Sequence, residues 1–299
     1  SSVTEFEDGD CELLVKNLLA TRDATLAAVR DWLEVFADRP EKERYPWREH
    51  AAAMLIALGK SGEEDVPQLL IEFMKEPAAA DYATFPDFAR METRARLRDY
   101  AAYAYMPYDR EAAAKLAMEF IDRDPFASRL CALILDRHWS DRASRVVLNL
   151  AGKASWTETI ATALQVLQQN DPSMYITALD LFRKELLAPS PDFETAIERF
   201  RYVVRRKRLP EAFAILKEKA MVKTLLKILD PQDRGVKGES PLPAEDGDTE
   251  EPYSRSVTER SIVAIQDILR VDFGYADDQS DQARRAVIER IKTWVARNM

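Results

Sequence analysis

Glycine is scarce, with 8 residues in 299. Six of them, Gly59, Gly62, Gly152, Gly235, Gly238 and Gly247, fall where loops or helix ends are expected. No stretch matches G-x-G-x-x-G or G-x-x-x-x-G-K-[ST], which excludes a phosphate cradle built from glycine backbone amides. Cysteine is nearly absent too. Cys11 and Cys131 form neither a disulfide framework nor a C-x-x-C pair. Cys131 lies in the apolar run RLCALIL and reads as a small buried hydrophobe. The two histidines, His50 and His138, and the two cysteines are too dispersed for a zinc site, which takes three or four protein ligands. Cys131 and His138 share a helix face, but two helical turns hold them roughly 10 Å apart, too far for a nucleophile and its base. No catalytic residue, metal or cofactor is assigned.

Other absences narrow the class further. The longest apolar run, Ala51–Leu58, is far short of a membrane span. No period-2 strand occurs, and no N-G or D-G turn is flanked by alternating apolar residues. Positive charge is in deficit: 43 Lys and Arg against 52 Asp and Glu leave a formal charge of −9. Such a chain repels phosphate backbones on average, which argues against a nucleic-acid partner. The mixed-sign surface fits a cytoplasmic chain, or a periplasmic one if a leader preceded Ser1.

What remains is helix. Leu26, Val29, Leu33 and Phe36 keep helical spacing, as do Ile160, Leu164 and Leu167, and as do Met174, Ala178, Leu181 and Phe182. Capping boxes are expected at Ser61–Glu64, Ser155–Glu158 and Ser256–Glu259. Asp124-Pro125, Asp171-Pro172 and Ser190-Pro191 read as helix starts, and Leu58-Gly59 and Ala151-Gly152 as stops. The expected spans are 10–20, 23–37, 47–60, 63–76, 87–106, 109–122, 125–138, 140–151, 156–169, 172–187, 191–206, 209–229, 256–271 and 280–297. Taken in pairs, these about fourteen helices give about seven hairpins of roughly 30 to 46 residues, the period of a helical solenoid. One domain over 1–299 is expected, interrupted by a long acidic loop or disordered insertion at 230–256. Within it, Glu239–Glu251 holds six acids and no base.

Two segments carry a family resemblance. Arg48–Met74 has Arg48, the small-residue helix of Ala51, Ala52 and Leu55, the Leu58-Gly59 stop, and Val66, Pro67, Leu69 and Leu70. Ser256–Trp294 has a helix, a D-F-G-Y loop, a few acids and a last helix with Ala283 and Trp294. Both resemble HEAT-repeat proteins, the second a closing repeat of bacterial members. The resemblance implies an all-α, right-handed α-solenoid of stacked hairpins, with armadillo- or tetratricopeptide-like repeats as the alternative. It implies a binding scaffold, since fold alone does not specify function. The di-iron chemistry of some HEAT-repeat enzymes is excluded, because it needs several His-Glu pairs.

The expected function is therefore a non-catalytic adaptor for a protein or peptide. Two groups of residues are candidates for the contact. Tyr100 and Tyr103, with Tyr105 and Tyr108 beyond them, sit beside Arg94 and Arg98 on an arginine-rich helix, and Tyr and Arg are frequent at recognition hot spots. Arg201, Arg205, Arg206, Lys207 and Arg208 form a basic run, read either as a helix C-terminus before Leu209-Pro210 or as an anion site. The acidic segment 239–251 is one anion it could face, which would make that loop a regulatory contact. The enzyme alternatives are a lyase-like solenoid and a HEAT-like DNA glycosylase. The latter would use tryptophans among Trp32, Trp47, Trp139, Trp156 and Trp294. The D-F-G of Asp272–Gly274 lacks the H-R-D loop and following lobe of a kinase. Counted from Asp272 or Asp277 it also lacks the Gly and Glu of a calcium loop. It reads as a turn ending one helix, with Asp278, Ser280 and Asp281 starting the next. The last helix is expected to bury Ala283, Val287, Ile291, Trp294 and Val295 and to wet Arg284, Arg285 and Arg290.

Overall fold

The computed structural model describes residues 54–74, 98–124, 127–189, 192, 196–229, 256–276 and 279–299, apart from single positions at 57, 61, 63 and 65. Among the described residues every regular element is helical. The expected helices at 10–20 and 23–37, the starts at Ser61 and Ser190-Pro191 and the acidic segment lie outside them. The chain divides into two compact units, Ser1–Leu150 and Ala151–Met299.

In the first unit, α1 (Val66–Met74) buries Val66, Leu69, Leu70 and Met74 on one stripe. The helical residues just before it continue through Gly59 to Lys60, so Gly59 is not the stop the sequence suggests. Its role is close approach. A Cβ there would overlap the backbone carbonyl of Ala104, in the helical stretch 98–105. α2 (Arg110–Arg123) starts at Asp109, whose carboxylate accepts the Ala112 amide at 2.9 Å. α3 (Arg129–Arg137) starts at Ser128 and packs on α2. Asp124 is thus not the N-cap expected before Pro125, because it closes α2 and its carboxylate is used elsewhere. α4 (Asp141–Lys153) passes at Ala151 from the first unit into the second and runs through Gly152, so Gly152 is not a stop either.

In the second unit, α5 (Thr157–Asn170) buries Ile160, Leu164 and Leu167 as their spacing predicts. α6 (Pro172–Leu187) starts at Asp171, whose carboxylate accepts the Met174 amide. Its buried stripe is Tyr175, Ala178, Leu179, Phe182 and Leu186, whereas Leu181 is 46% exposed. α7 (Ala196–Leu216) is one helix where the sequence suggests two. Pro210 lies inside it, a position that costs about 3 kcal/mol through the lost amide bond and the ring clash. Leu209, Pro210, Ala212 and Phe213 are all buried, and that burial offsets the cost. A 3-10 turn (Lys219–Met221) leads into α8 (Val222–Ile228), then come α9 (Val257–Leu269) and α10 (Asp281–Asn298).

Two rows emerge within this unit. α5, α7 and α9 pack in succession, while α6 packs on α8 and each row touches the other through α5 with α6 and α8 with α9. Phe182 of α6 and Phe213 of α7 meet at 6.1 Å between the rows. The Ser256–Glu259 capping box forms completely at the start of α9. The Ser155–Glu158 box does not, because α5 begins at Trp156 without a side-chain cap.

The D-F-G turn differs in detail from its sequence reading. α9 ends at Leu269 with Arg270 left-handed at φ 56, before the D-F-G begins. Gly274, at φ 71, closes a separate turn in which its amide donates to Asp272 Oδ1 at 2.7 Å. That φ is one a side chain rarely adopts, which is why glycine stands there. Phe273 is buried edge-on against Trp294 at 6.1 Å. Arg290 is exposed as expected, and its guanidinium also donates twice to the Phe273 carbonyl, at 3.0 and 2.6 Å. Arg284 likewise pairs with Glu259 at 2.9 Å.

Candidate functional site

The first unit contains a buried ionic cluster built on the residue pair Arg98-Asp99. Arg98 is 3% exposed and Asp99 fully buried. The Arg98 guanidinium donates to Asp99 Oδ1 at 2.9 Å and to Asp124 Oδ2 at 2.7 Å, and stacks over Phe120 at 4.1 Å. Asp99 Oδ2 accepts the Ser128 amide at 2.6 Å, which places the start of α3. Burial pushes the Asp99 carboxyl up, while Arg98 and Ser128 hold it down. Burial also works against the Arg98 charge, but Asp99 and Asp124 leave that guanidinium more firmly protonated than usual. The Cys131 thiol is pushed well up by burial and by Asp99, and so stays protonated. A protonated, buried thiol is a poor nucleophile, and His138 is exposed.

Arg98 is therefore not available to a partner: its charge is spent inside the unit. Tyr100 and Tyr103 are half-buried on the same helical stretch. Tyr105 and Tyr108 stack at 6.4 Å, and the Tyr108 hydroxyl donates to the Leu58 carbonyl at 3.4 Å. Arg94 lies outside the described residues, as does the side chain of Arg201.

In the basic run of α7 consecutive residues point about 100° apart, and Arg205, Arg206 and Arg208 each have a partner of their own. Arg205, 7% exposed, pairs with Glu185 at 2.7 Å and donates to the carbonyls of Ala151 and Ala154 at 2.8 and 2.7 Å. It thereby closes the C-terminal end of α4, the task expected of Gly152. Arg206 donates to the Leu186 carbonyl at 2.7 Å and so serves the end of α6. A cation at a helix C-terminus is favourable by the helix dipole. The sequence suggests that effect for the helix carrying the run, but the structure uses it for two other helices.

Lys207 and Arg208 turn toward α9. Arg208 lies over Trp156 at 5.7 Å and reaches Glu211 Oε2 at 3.4 Å. The same oxygen accepts the Thr157 hydroxyl at 2.7 Å. The other Glu211 oxygen takes the guanidinium of Arg260, which is 6% exposed. Burial and the neighbouring Arg208 lower the Arg260 pKa to about 10. Lys207 is also lowered, by burial and then by Arg260, with Glu259 opposing. Two guanidiniums thus face one carboxylate.

Beside this network a cleft of about 250 Å³ opens between α7 and α9. Ala214, Ile215, Val263 and Ala264 give it apolar walls, and Glu211, Arg260, Lys217 and Asp267 give it charge. Lys217, left-handed at φ 53, ends α7 and donates its ammonium to the Asp267 carbonyl at 3.3 Å. Ile215 stands 57% exposed at this cleft. Sequence reasoning singled out Lys207 and Arg208 but missed Glu211, Ile215, Lys217, Arg260 and Asp267. The usable signal was an isoleucine left off the apolar stripe one turn after Glu211. Trp156 and Trp294 are both occupied in side-chain packing, against Arg208 and Phe273.

Among the described residues no group of three or more His, Cys, Asp or Glu could hold a metal ion. Among them, too, no helix is long and apolar enough to cross a membrane. Comparison with protein-family models, with curated proteins and with solved structures yields no match for this chain.

Proposed function

We propose that the chain is a non-catalytic helical-repeat adaptor of the HEAT type, and that it takes a peptide segment of a protein partner into the cleft between α7 and α9. Two rows of helices, α5–α7–α9 and α6–α8, support the repeat reading, because hairpins stacked side by side place alternate helices in contact. The observation that carries the docking reading is Ile215. Covering a branched aliphatic side chain stabilises a complex by about 1.5–3 kcal/mol at full burial, and here it stands beside a charged rim that can orient what covers it. The cleft's about 250 Å³ lies below the usual 300–1,000 Å³ of small-molecule sites, and suits one or two side chains of a peptide.

A photo-crosslinking residue placed at position 215 tests this in cells of the source organism. A discrete, saturable adduct is expected there, competed by unlabelled chain and lost on Lys217→Glu. The same crosslinker at exposed Arg297 of α10 should give none. Equal labelling from both positions would remove the support for this cleft.

A further inference from the structure

We infer that the exposed face of α6 pairs antiparallel with the same face of a second copy of the chain, about a two-fold axis passing between residues 181 and 182. This association is separate from the cleft reading above and does not depend on it.

Exposed apolar surface is concentrated on this helix. Among the described residues five large apolar side chains are exposed, and three of them stand on α6: Ile176 at 59%, Leu181 at 46% and Leu187 at 39%. The opposite side of the helix is committed to the core, with Tyr175, Ala178, Leu179, Phe182 and Leu186 buried. At about 100° per residue, Ile176, Asp180, Lys184 and Leu187 fall within an arc of about 80°. All four are exposed. Leu181 borders this stripe near its middle. An aliphatic stripe along one side of a helix is a surface on which another helix packs.

The order of the stripe points to a copy of the chain as the partner. It reads aliphatic, acid, base, aliphatic, and Ile176 and Leu187 are equidistant from the point between residues 181 and 182. An isologous contact requires that residue i meets j while j meets i. In the antiparallel arrangement Ile176 covers the partner's Leu187, and the two-fold repeats that contact at the other end. Asp180 then faces the partner's Lys184, again twice. The charges are accessible. The Asp180 side chain is 54% exposed and pairs through Oδ1 with Arg183 of its own helix. A carboxylate accepts at both oxygens, so Oδ2 remains for an incoming ammonium. Among the described residues Lys184 forms no ion pair. A parallel pairing in register would set Asp180 against the partner's Asp180 and Lys184 against the partner's Lys184, so charge selects the antiparallel one. A single helix of 16 residues offers an interface at the small end of the specific range, and the dimer is a weak one.

Sedimentation velocity of the full chain over a wide concentration range tests this. The expected result is a reversible monomer–dimer equilibrium. Ile176→Lys or Leu187→Lys should weaken it by about tenfold or more, with the melting temperature little changed because both side chains are exposed. Asp180→Lys sets lysines against each other across the axis, and Lys184→Asp sets acids against each other. Each alone should also weaken the dimer by about tenfold or more. An equimolar mixture of these two variants should recover the affinity, because each contact between positions 180 and 184 of the mixed dimer joins opposite signs. A monomer at every concentration overturns the proposal. So does a dimer that tolerates both Ile176→Lys and Leu187→Lys, since it forms through another face. A mixture that associates no more tightly than its components overturns the antiparallel register. Each of these outcomes leaves the cleft reading standing.

Discussion

The two units handle buried charge in opposite ways. Around Arg98 one cation faces two carboxylates, Asp99 and Asp124, and all three side chains are sealed from water. Around Glu211 one carboxylate faces two guanidiniums, Arg208 and Arg260, at the edge of a cleft. The first arrangement is a lock. Its surplus negative charge is held by the Ser128 amide, and no lining is left to meet a newcomer. In the second, Glu211 and Arg260 themselves line an open cleft. A buried ion pair is thus weak evidence for function by itself, and its stoichiometry and its access to solvent carry the distinction.

The largest effects come from removing one buried cation in each unit, Arg98 from its cluster and Arg205 from its separate pair with Glu185. Arg98→Met leaves two carboxylates uncompensated and should cost about 3–5 kcal/mol, the usual penalty for breaking a buried pair. Arg205→Met strands one partly exposed carboxylate and two carbonyls, and should cost less in the same urea titration. Equal losses would break the comparison. Next in size is Gly59→Ala, expected to destabilise by about 1–3 kcal/mol through overpacking against Ala104. It should act on the first unit while leaving peptide binding by the second unchanged, as anisotropy would show.

A smaller effect separates two identical-looking signals. Ser256→Ala removes a formed capping box and should cost about 1 kcal/mol, whereas Ser155→Ala should change the melting temperature little. The smallest effect is a pH dependence. The Tyr175 hydroxyl donates to Glu218, and burial with that carboxylate raises its pKa above the ordinary 10.0. The folded chain therefore holds this proton more tightly than the unfolded one. The contribution is fully present below pH about 10 and is lost as pH climbs toward the folded value. Melting temperatures recorded from pH 8 to 11 should fall faster for the wild type than for Tyr175→Phe.

Much of the fold was legible because helical burial repeats along the chain. The expected span 172–187 coincides with α6 to the residue, and Asp171 and Ser256 announce their helices with local side-chain chemistry. The misreadings came where a tertiary contact overrode a local rule. Pro210 ordinarily ends a helix, yet α7 runs through it, with Pro210 and its neighbours Leu209, Ala212 and Phe213 buried. Gly59 and Gly152 look like stops, but one marks a close backbone approach and the other lies within α4, whose end Arg205 closes from α7. The basic run looked like a surface because charge in sequence carries no direction. On a helix its members diverge: Arg205 and Arg206 serve the ends of α4 and α6, while Lys207 and Arg208 lie near Arg260. Glu211 could not be found at all from local pattern, since its three donors come from α5, α7 and α9.

The sealed thiol of Cys131 has a practical consequence. Buried and held protonated, it can react with a thiol reagent only when the first unit opens. In a Cys11→Ser background, the labelling rate at saturating reagent becomes a clock for that opening, read in solution and without denaturant. The second unit has no described cysteine, so the clock is blind to it. Whether a bound peptide slows the clock then measures whether the two halves of the chain breathe together or apart.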